Sequence, residues 1–225
     1  MKRKKKLDII YEDKEILVIN KPSGVLTVST PKEKEKTLFH EVSDYVKKSN
    51  PKAKVFIIHR LDKDTSGIVM FAKNQNIKYA YQNAWDKLVI KRGYVAIVDG
   101  VLDNKKGVIK SYLKETKTLL VYSSNDKKNG KLAITNYNVI KENKRYSMLN
   151  VDIKTGRKNQ IRVHMKDINH PILGDKKYGN KKSPAGRLML HAGELVIINP
   201  KTKKQMSFIS KTPKSFNMLF EERNA

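Results

Sequence analysis

The segment His59-Arg60-Leu61-Asp62-Lys63-Asp64-Thr65-Ser66-Gly67 packs ionisable side chains between two apolar runs, 55–58 and 68–72. A polar loop at the end of buried strands is where a rigid scaffold commonly presents reactive groups. Of its two carboxylates, Asp64 precedes Thr-Ser-Gly and is the natural turn former, because an Asp side chain satisfies turn amides. That leaves Asp62 as the candidate reactive carboxylate. Taken alone, the segment reads equally well as a solvated turn. A second segment, 155–164, gathers cations and amides. On a helix, Lys158 and Arg162 lie one turn apart and could bind phosphate, or Arg162 could hold a carboxylate. An ordinary basic helix face is the plainer reading. A third, Lys91-Arg92-Gly93-Tyr94, sets an aromatic beside two cations at a strand start. This suits stacking on a base, although a strand tyrosine more often packs in a core.

Other chemistries find no residues to carry them. There is no cysteine, so thiol nucleophiles, disulfides and Cys-ligated zinc are excluded. The five histidines (40, 59, 164, 170 and 191) show no metal-ligand spacing. No glycine-rich phosphate loop opens a helix, and no serine stands in a nucleophile elbow. No metal and no nucleotide or redox cofactor is implied.

The elements that must position these residues follow from periodicity. Runs 7–11 and 15–20 read as a strand pair, with a turn at 21–24 and a short strand at 25–28. Leu38, Phe39, Val42, Tyr45 and Val46 fall on one helical face. Ile77, Ala80, Tyr81, Ala84, Trp85 and Leu88 repeat at helical spacing and predict one helix ending before Arg92-Gly93. Residues 94–98 alternate as a strand, and 105–153 reads as strands separated by turn signals. Ile161, His164, Met165 and Ile168 suggest a short helix. Final strands are expected at 188–190 and 195–198, then a short amphipathic stretch at 215–220. Strands outnumber helices and run consecutively, which is the pattern of an α+β fold with a largely antiparallel sheet.

The chain has 225 residues, with 48 Lys plus Arg against 22 Asp plus Glu, a formal net charge of +26. Such a field calls for a polyanionic partner, nucleic acid first. A lysine-rich proteome is the bland alternative. Acidic residues interrupt the apolar stretch that a signal peptide would need after the basic start, and no run approaches a membrane span. A cytoplasmic protein is expected, with no membrane partner and a monomer as the default.

The motifs, taken in order, closely resemble those of the RluA-type RNA pseudouridine synthases. Asn20-Lys21-Pro22-Ser23-Gly24 resembles that family's first motif, and His59-Arg60-Leu61-Asp62 with Asp64-Thr65-Ser66-Gly67 its second, which carries the catalytic aspartate. Lys91-Arg92-Gly93-Tyr94-Val95-Ala96 resembles the tyrosine motif, and Thr155-Gly156-Arg157 through Gln160-Ile161-Arg162-Val163-His164 the third. His170-Pro171-Ile172-Leu173-Gly174-Asp175, Tyr178-Gly179 and the stretch 188–192 complete a series spanning about residues 7–210. Two departures stand out. Lys158-Asn159 occupy positions where the family commonly has Thr-His. The chain also begins almost directly with the catalytic region, without the S4-type RNA-binding domain many relatives carry.

The resemblance implies a pseudouridine synthase fold: a mixed, largely antiparallel sheet in two lobes flanked by helices, with a central catalytic cleft. Residues 7–225 would form one catalytic domain behind a mobile basic arm, 1–6. It implies conversion of uridine in RNA to pseudouridine, ribosomal RNA first and transfer RNA second, with no cofactor. Asp62 would be the catalytic carboxylate facing an electron-poor anomeric carbon, the device glycosidases use. Arg162 would be its cationic partner, and such a neighbour lowers a carboxylate pKa. Tyr94 would stack on the base, with Ile161 packed beneath it, and Arg60 would approach the gap left by the flipped nucleotide. Gln160, His59 and Lys21 complete the expected substrate-binding set. The rival readings are a catalytically silent RNA-binding or assembly protein on the same fold, and a ribonuclease using His59 and His164.

Overall fold

The computed structural model describes residues 7–31, 33–179 and 186–221. The expected basic arm, 1–6, lies outside these residues. The chain divides into two compact units.

The first unit runs to Ile90 and takes back Ala192–Ser210. Strands β1 (Ile9–Glu12) and β2 (Ile16–Lys21) form an antiparallel pair. The Asp13 carboxylate closes their turn by accepting the amides of Glu15 and Ile16, both at 2.7 Å. β2 pairs antiparallel with β4 (Ser66–Ala72), from Ile16↔Ala72 to Lys21↔Gly67. Every residue of β4 is buried, which explains its continuous apolar run. β3 (Phe56–Ile57) also pairs with β4, and β10 (Leu190–Ile198) with β11 (Gln205–Ile209).

Helix α1 (Leu38–Ser49) starts at Thr37, whose hydroxyl accepts the His40 amide, and turns Leu38, Val42 and Val46 inward. The single helix expected from Ile77 to Leu88 is two: α2 (Gln75–Asn83), capped by Asn74, and α3 (Trp85–Leu88). Ala84 leaves helical geometry between them, at φ −125°, and no glycine or proline announces the break. The strand expected at 25–28 is irregular chain with isolated bridges at Leu26 and Thr30. The core gathers Ile16, Val18, Ile68, Met70, Ile77, Tyr81, Leu195, Ile197 and Phe208.

The second unit holds Lys91–His191 and the described chain from Lys211 on. Its sheet has the order β5-β9-β8-β6-β7, antiparallel throughout. The strands are β5 (Val89–Asp99), β6 (Lys106–Glu115), β7 (Val121–Ser124), β8 (Lys131–Glu142) and β9 (Tyr146–Ile153). Helix α4 (Gln160–Asp167) lies where the sequence placed it, and α5 (Lys214–Asn217) is a short helix near the C-terminus. α4 buries Ile161, Val163, His164 and Met165. The core joins Ala96, Val98, Leu149, Val151, Ile161, Met165, Ile172 and Phe216, with Tyr94 packed against it. Of the two strands expected at 188–190 and 195–198, residues 188 and 189 are irregular chain, and β10 runs unbroken from Leu190 through the second. No helix among the described residues is long and apolar enough to cross a membrane.

Candidate active site

Asp62 sits half-buried on the loop between β3 and β4. The segment 21–27 grips that loop on both sides of it. Leu61 exchanges two hydrogen bonds with the Thr27 hydroxyl, its carbonyl accepting at 2.8 Å and its amide donating at 3.2 Å. The Lys63 carbonyl accepts the Gly24 amide at 3.0 Å and the Lys21 ammonium at 2.9 Å. The Asp64 carbonyl accepts the Ser23 hydroxyl at 2.6 Å. Within the loop, the Thr65 amide reaches back to the Asp62 carbonyl at 3.2 Å. Gly67 lets the chain enter β4: its φ is +115°, and a Cβ there would lie 2.1 Å from the Ala192 carbonyl oxygen.

Lys21 and His59, both expected to bind substrate, lie beside this loop, Lys21 buried and His59 half-buried. Lys21 is fully buried, and its ammonium also donates to the carbonyls of Pro22 (3.0 Å) and Val25 (2.8 Å). A buried cation needs such a set of acceptors. His59 Nε2 accepts the Met70 amide at 3.1 Å, and its ring lies 5.7 Å from that of Trp85. Arg60 and Asp64 are exposed. Asp64 joins the turn through its carbonyl, where its side chain was expected to do so.

In the second unit, Arg162 is held from several directions. Asp175 takes it in a two-pronged pair, Nε–Oδ2 at 2.7 Å and Nη2–Oδ1 at 2.8 Å. Nη1 donates to Asn159 Oδ1 at 2.9 Å, and the guanidinium stacks over the Tyr178 ring at 5.1 Å. The Asp175 side chain is wholly buried and also accepts the amides of Lys177 and Tyr178. Burial alone would raise its pKa; the Arg162 guanidinium and these amides outweigh that and hold it below its ordinary value. Asn159 precedes the helix in the left-handed region, at φ +55°, which asparagine tolerates better than most residues. Its amide nitrogen donates to the Tyr178 hydroxyl at 3.0 Å. This is the position where the family commonly has His; its neighbour Lys158 pairs with Glu115.

Gln160 spends its side chain inside the protein. Its Oε1 accepts the Thr155 hydroxyl (2.7 Å) and the Arg157 amide (3.0 Å), and its Nε2 donates to the Ile134 carbonyl (3.0 Å) and Thr135 Oγ1 (2.9 Å). It fixes the start of α4 to β8. His164 is fully enclosed, between Thr135 Oγ1 at 2.9 Å and Ser111 Oγ at 3.0 Å. Burial pushes its pKa down to about 4. A neutral imidazole satisfies both hydroxyls, donating to one and accepting from the other. Tyr94 is half-buried on β5 opposite Val151, and Ile161 is nearly fully buried in the core that Tyr94 packs against.

Asn159, Asp175 and Tyr178 fell within the motifs of the sequence reading but were given no site role there. No spacing rule links Arg162 to a carboxylate thirteen positions on. No cluster of three His, Asp or Glu side chains able to hold a metal occurs among the described residues.

The family model described as RNA pseudouridylate synthase matches residues 15–167. The ribosomal large subunit pseudouridine synthase D of Borreliella burgdorferi is 38% identical, over 92% of this chain and 66% of that protein. The tRNA pseudouridine synthase C of Haemophilus ducreyi is 33% identical, over 96% of this chain and 95% of that protein. Among solved structures, human RNA pseudouridylate synthase domain containing 4 shares the fold with a TM-score of 0.78 at 23% identity, covering 96% of this chain and 95% of that one. On its ordered motifs, its fold and this match to most of its length, the chain belongs to the RNA pseudouridylate synthase family, as an enzyme of the RluA type.

Proposed function

We propose that this protein isomerises specific uridines of ribosomal RNA, with transfer RNA as the second substrate class, and that Asp62 is its catalytic carboxylate. One observation carries the assignment to Asp62. It is the half-buried acid at the centre of a loop whose flanking carbonyls, at 61, 63 and 64, are all tied down by segment 21–27. A catalytic group needs that kind of support, since small misplacements cost large factors in rate. The substrate classes rest on the relatives named for ribosomal and transfer RNA.

The reaction breaks the N1–C1′ bond, turns the base, and joins C5 to C1′. The C5 hydrogen leaves as a proton and N1 ends protonated, so atoms and electrons balance without a co-reactant. The ionised Asp62 carboxylate has three chemically consistent roles: attack at C1′, attack on the base, or removal of the C2′ proton. Arg162 is the counter-charge the resemblance assigns to it. The bonds to Asp175 and Asn159 support that role, because they fix the guanidinium plane before substrate arrives. Tyr94 stacks on the flipped base and its hydroxyl assists departure of the C5 proton. Arg60, exposed beside Asp62, occupies the space the base leaves.

The test is tritium release from ribosomal and transfer RNA transcripts labelled at C5 of uridine. Wild type is expected to release tritium, and Asp62→Asn none, with folding and RNA affinity retained. Wild-type turnover by the Asn variant would remove Asp62 from its role. Binding without release by the wild type would leave the catalytically silent RNA-binding reading.

A further inference from the structure

We propose that the tip of the β6–β7 hairpin, Leu119 with Leu120, is an apolar wedge that enters the base stack of the substrate RNA beside the target uridine. The inference rests on the RNA-modifying reading above and adds a contact that reading does not contain. The hairpin pairs Tyr112↔Ser124 through Glu115↔Val121. Its turn is closed by the Thr116 amide on the Leu120 carbonyl (2.8 Å) and the Leu119 amide on the Thr116 carbonyl (2.9 Å).

Leu119 has φ +62°, the left-handed conformation that such turns normally give to glycine or asparagine. A branched apolar side chain is strained there. That side chain is also 60% exposed, and Leu120 beside it 39%. One residue thus bears two unfavourable features, backbone strain and apolar exposure. Strained residues persist where the surroundings impose them, and they cluster at functional sites.

The tip is fastened to the Arg162 cluster. The Lys177 ammonium donates to the Leu119 carbonyl at 2.6 Å, and the Val121 amide donates to the Tyr178 hydroxyl at 3.0 Å. Tyr178 is the ring on which Arg162 stacks. Cations stand near the two leucines: exposed Lys117 in the turn, Lys177 at the Leu119 carbonyl, and Lys158, paired with Glu115 opposite Val121. A small apolar tip amid lysines matches a base step between phosphates, where inserted Leu or Ile side chains unstack neighbours and hold the distortion. A flipped uridine requires that unstacking. Two leucines are too few for a protein interface, and their attachment to the Arg162 cluster favours RNA over a membrane surface.

The experiment compares wild type, Leu119→Gly, Leu119→Met and Asp62→Asn. Three readouts are used: thermal stability, tritium release from 5-tritiated-uridine ribosomal RNA transcript, and fluorescence of a stem–loop RNA with 2-aminopurine beside a paired uridine. Glycine relieves the left-handed strain, so Leu119→Gly is expected to melt about 2 °C higher. It is also expected to lower tritium release about tenfold at subsaturating RNA, the scale of one lost stacking contact, and to lose the fluorescence rise. Leu119→Met keeps both signals, and Asp62→Asn keeps the fluorescence rise alone. A Leu119→Gly protein that melts lower, or that matches wild type in fluorescence, overturns the wedge. If the wild type opens the stem–loop through Leu119 yet releases no tritium from any RNA, the wedge stands and the catalytic reading falls.

Discussion

At the scale of single residues, the second unit separates charge that stays from charge that is excluded. Asp175 stays ionised in a wholly buried position because Arg162 and two amides surround it. His164 is kept neutral, because hydroxyls line its pocket and burial disfavours its charged form. The carboxylate facing that network is Asp167, which accepts the Ser123 hydroxyl and whose charge partly offsets the effect of burial on His164. Against the ordinary imidazole value of about 6.5, which the unfolded chain retains, burial pushes the folded His164 down to about 4. The unfolded chain therefore binds the extra proton as pH falls through that interval, and stability falls with it. The shift corresponds to about 3 kcal/mol. Urea midpoints measured from pH 7 to pH 4 should decline on this account, and His164→Gln should flatten the decline. An unchanged slope in the variant would show that other groups set the acid response.

At the scale of elements, the first motif acts as a clamp on the second. Lys21 ends β2, where it pairs with Gly67 at the start of β4. From there its buried ammonium reaches back to the Lys63 carbonyl beside Asp62. Replacing Lys21 by Met keeps the length of the side chain and takes the ammonium donor from the carbonyls of Pro22, Val25 and Lys63, of which the Lys63 carbonyl keeps the Gly24 amide. Each unsatisfied buried acceptor costs about 1–3 kcal/mol where water cannot reach it. Lys21→Met should lower the melting temperature and reduce kcat for tritium release while leaving KM nearly unchanged, because RNA contacts elsewhere persist. A raised KM at wild-type kcat would restore Lys21 as a substrate-binding residue. The same scale explains the helix break at Ala84. Helical spacing runs unbroken from Ile77 to Leu88, so periodicity alone predicts one helix. The backbone instead turns at Ala84, whose carbonyl then accepts the amides of both Lys87 and Leu88.

At the scale of the molecule, a net charge of +26 sets how RNA is met. Each phosphate neutralised releases counterions, so affinity falls as a power of salt concentration. Tritium release at subsaturating RNA should fall at least about tenfold between 50 and 200 mM salt, with kcat at saturation little changed. A flat response would mean that the lysines are solvated surface without phosphate contact.

The sequence by itself determined a good deal, for physical reasons that act along the chain. Apolar periodicity marked α1, α4 and most strands, because burying one face is a local requirement. Cysteine absence and histidine spacing limited the available chemistry. The ordered motifs led to the family, because Gly67 and its neighbours answer to backbone geometry that few residues satisfy. Tertiary structure decided the rest. Lys21 and Lys63 lie 42 positions apart, and Arg162 and Asp175 thirteen, and no periodicity links such pairs. The strand order β5-β9-β8-β6-β7 and the strained, exposed Leu119 likewise emerged only in the folded chain. Hydrogen bonds, ion pairs and close approaches depend on distance in space, which only packing sets. That is why residue types were legible in one dimension, while their partners appeared only in three.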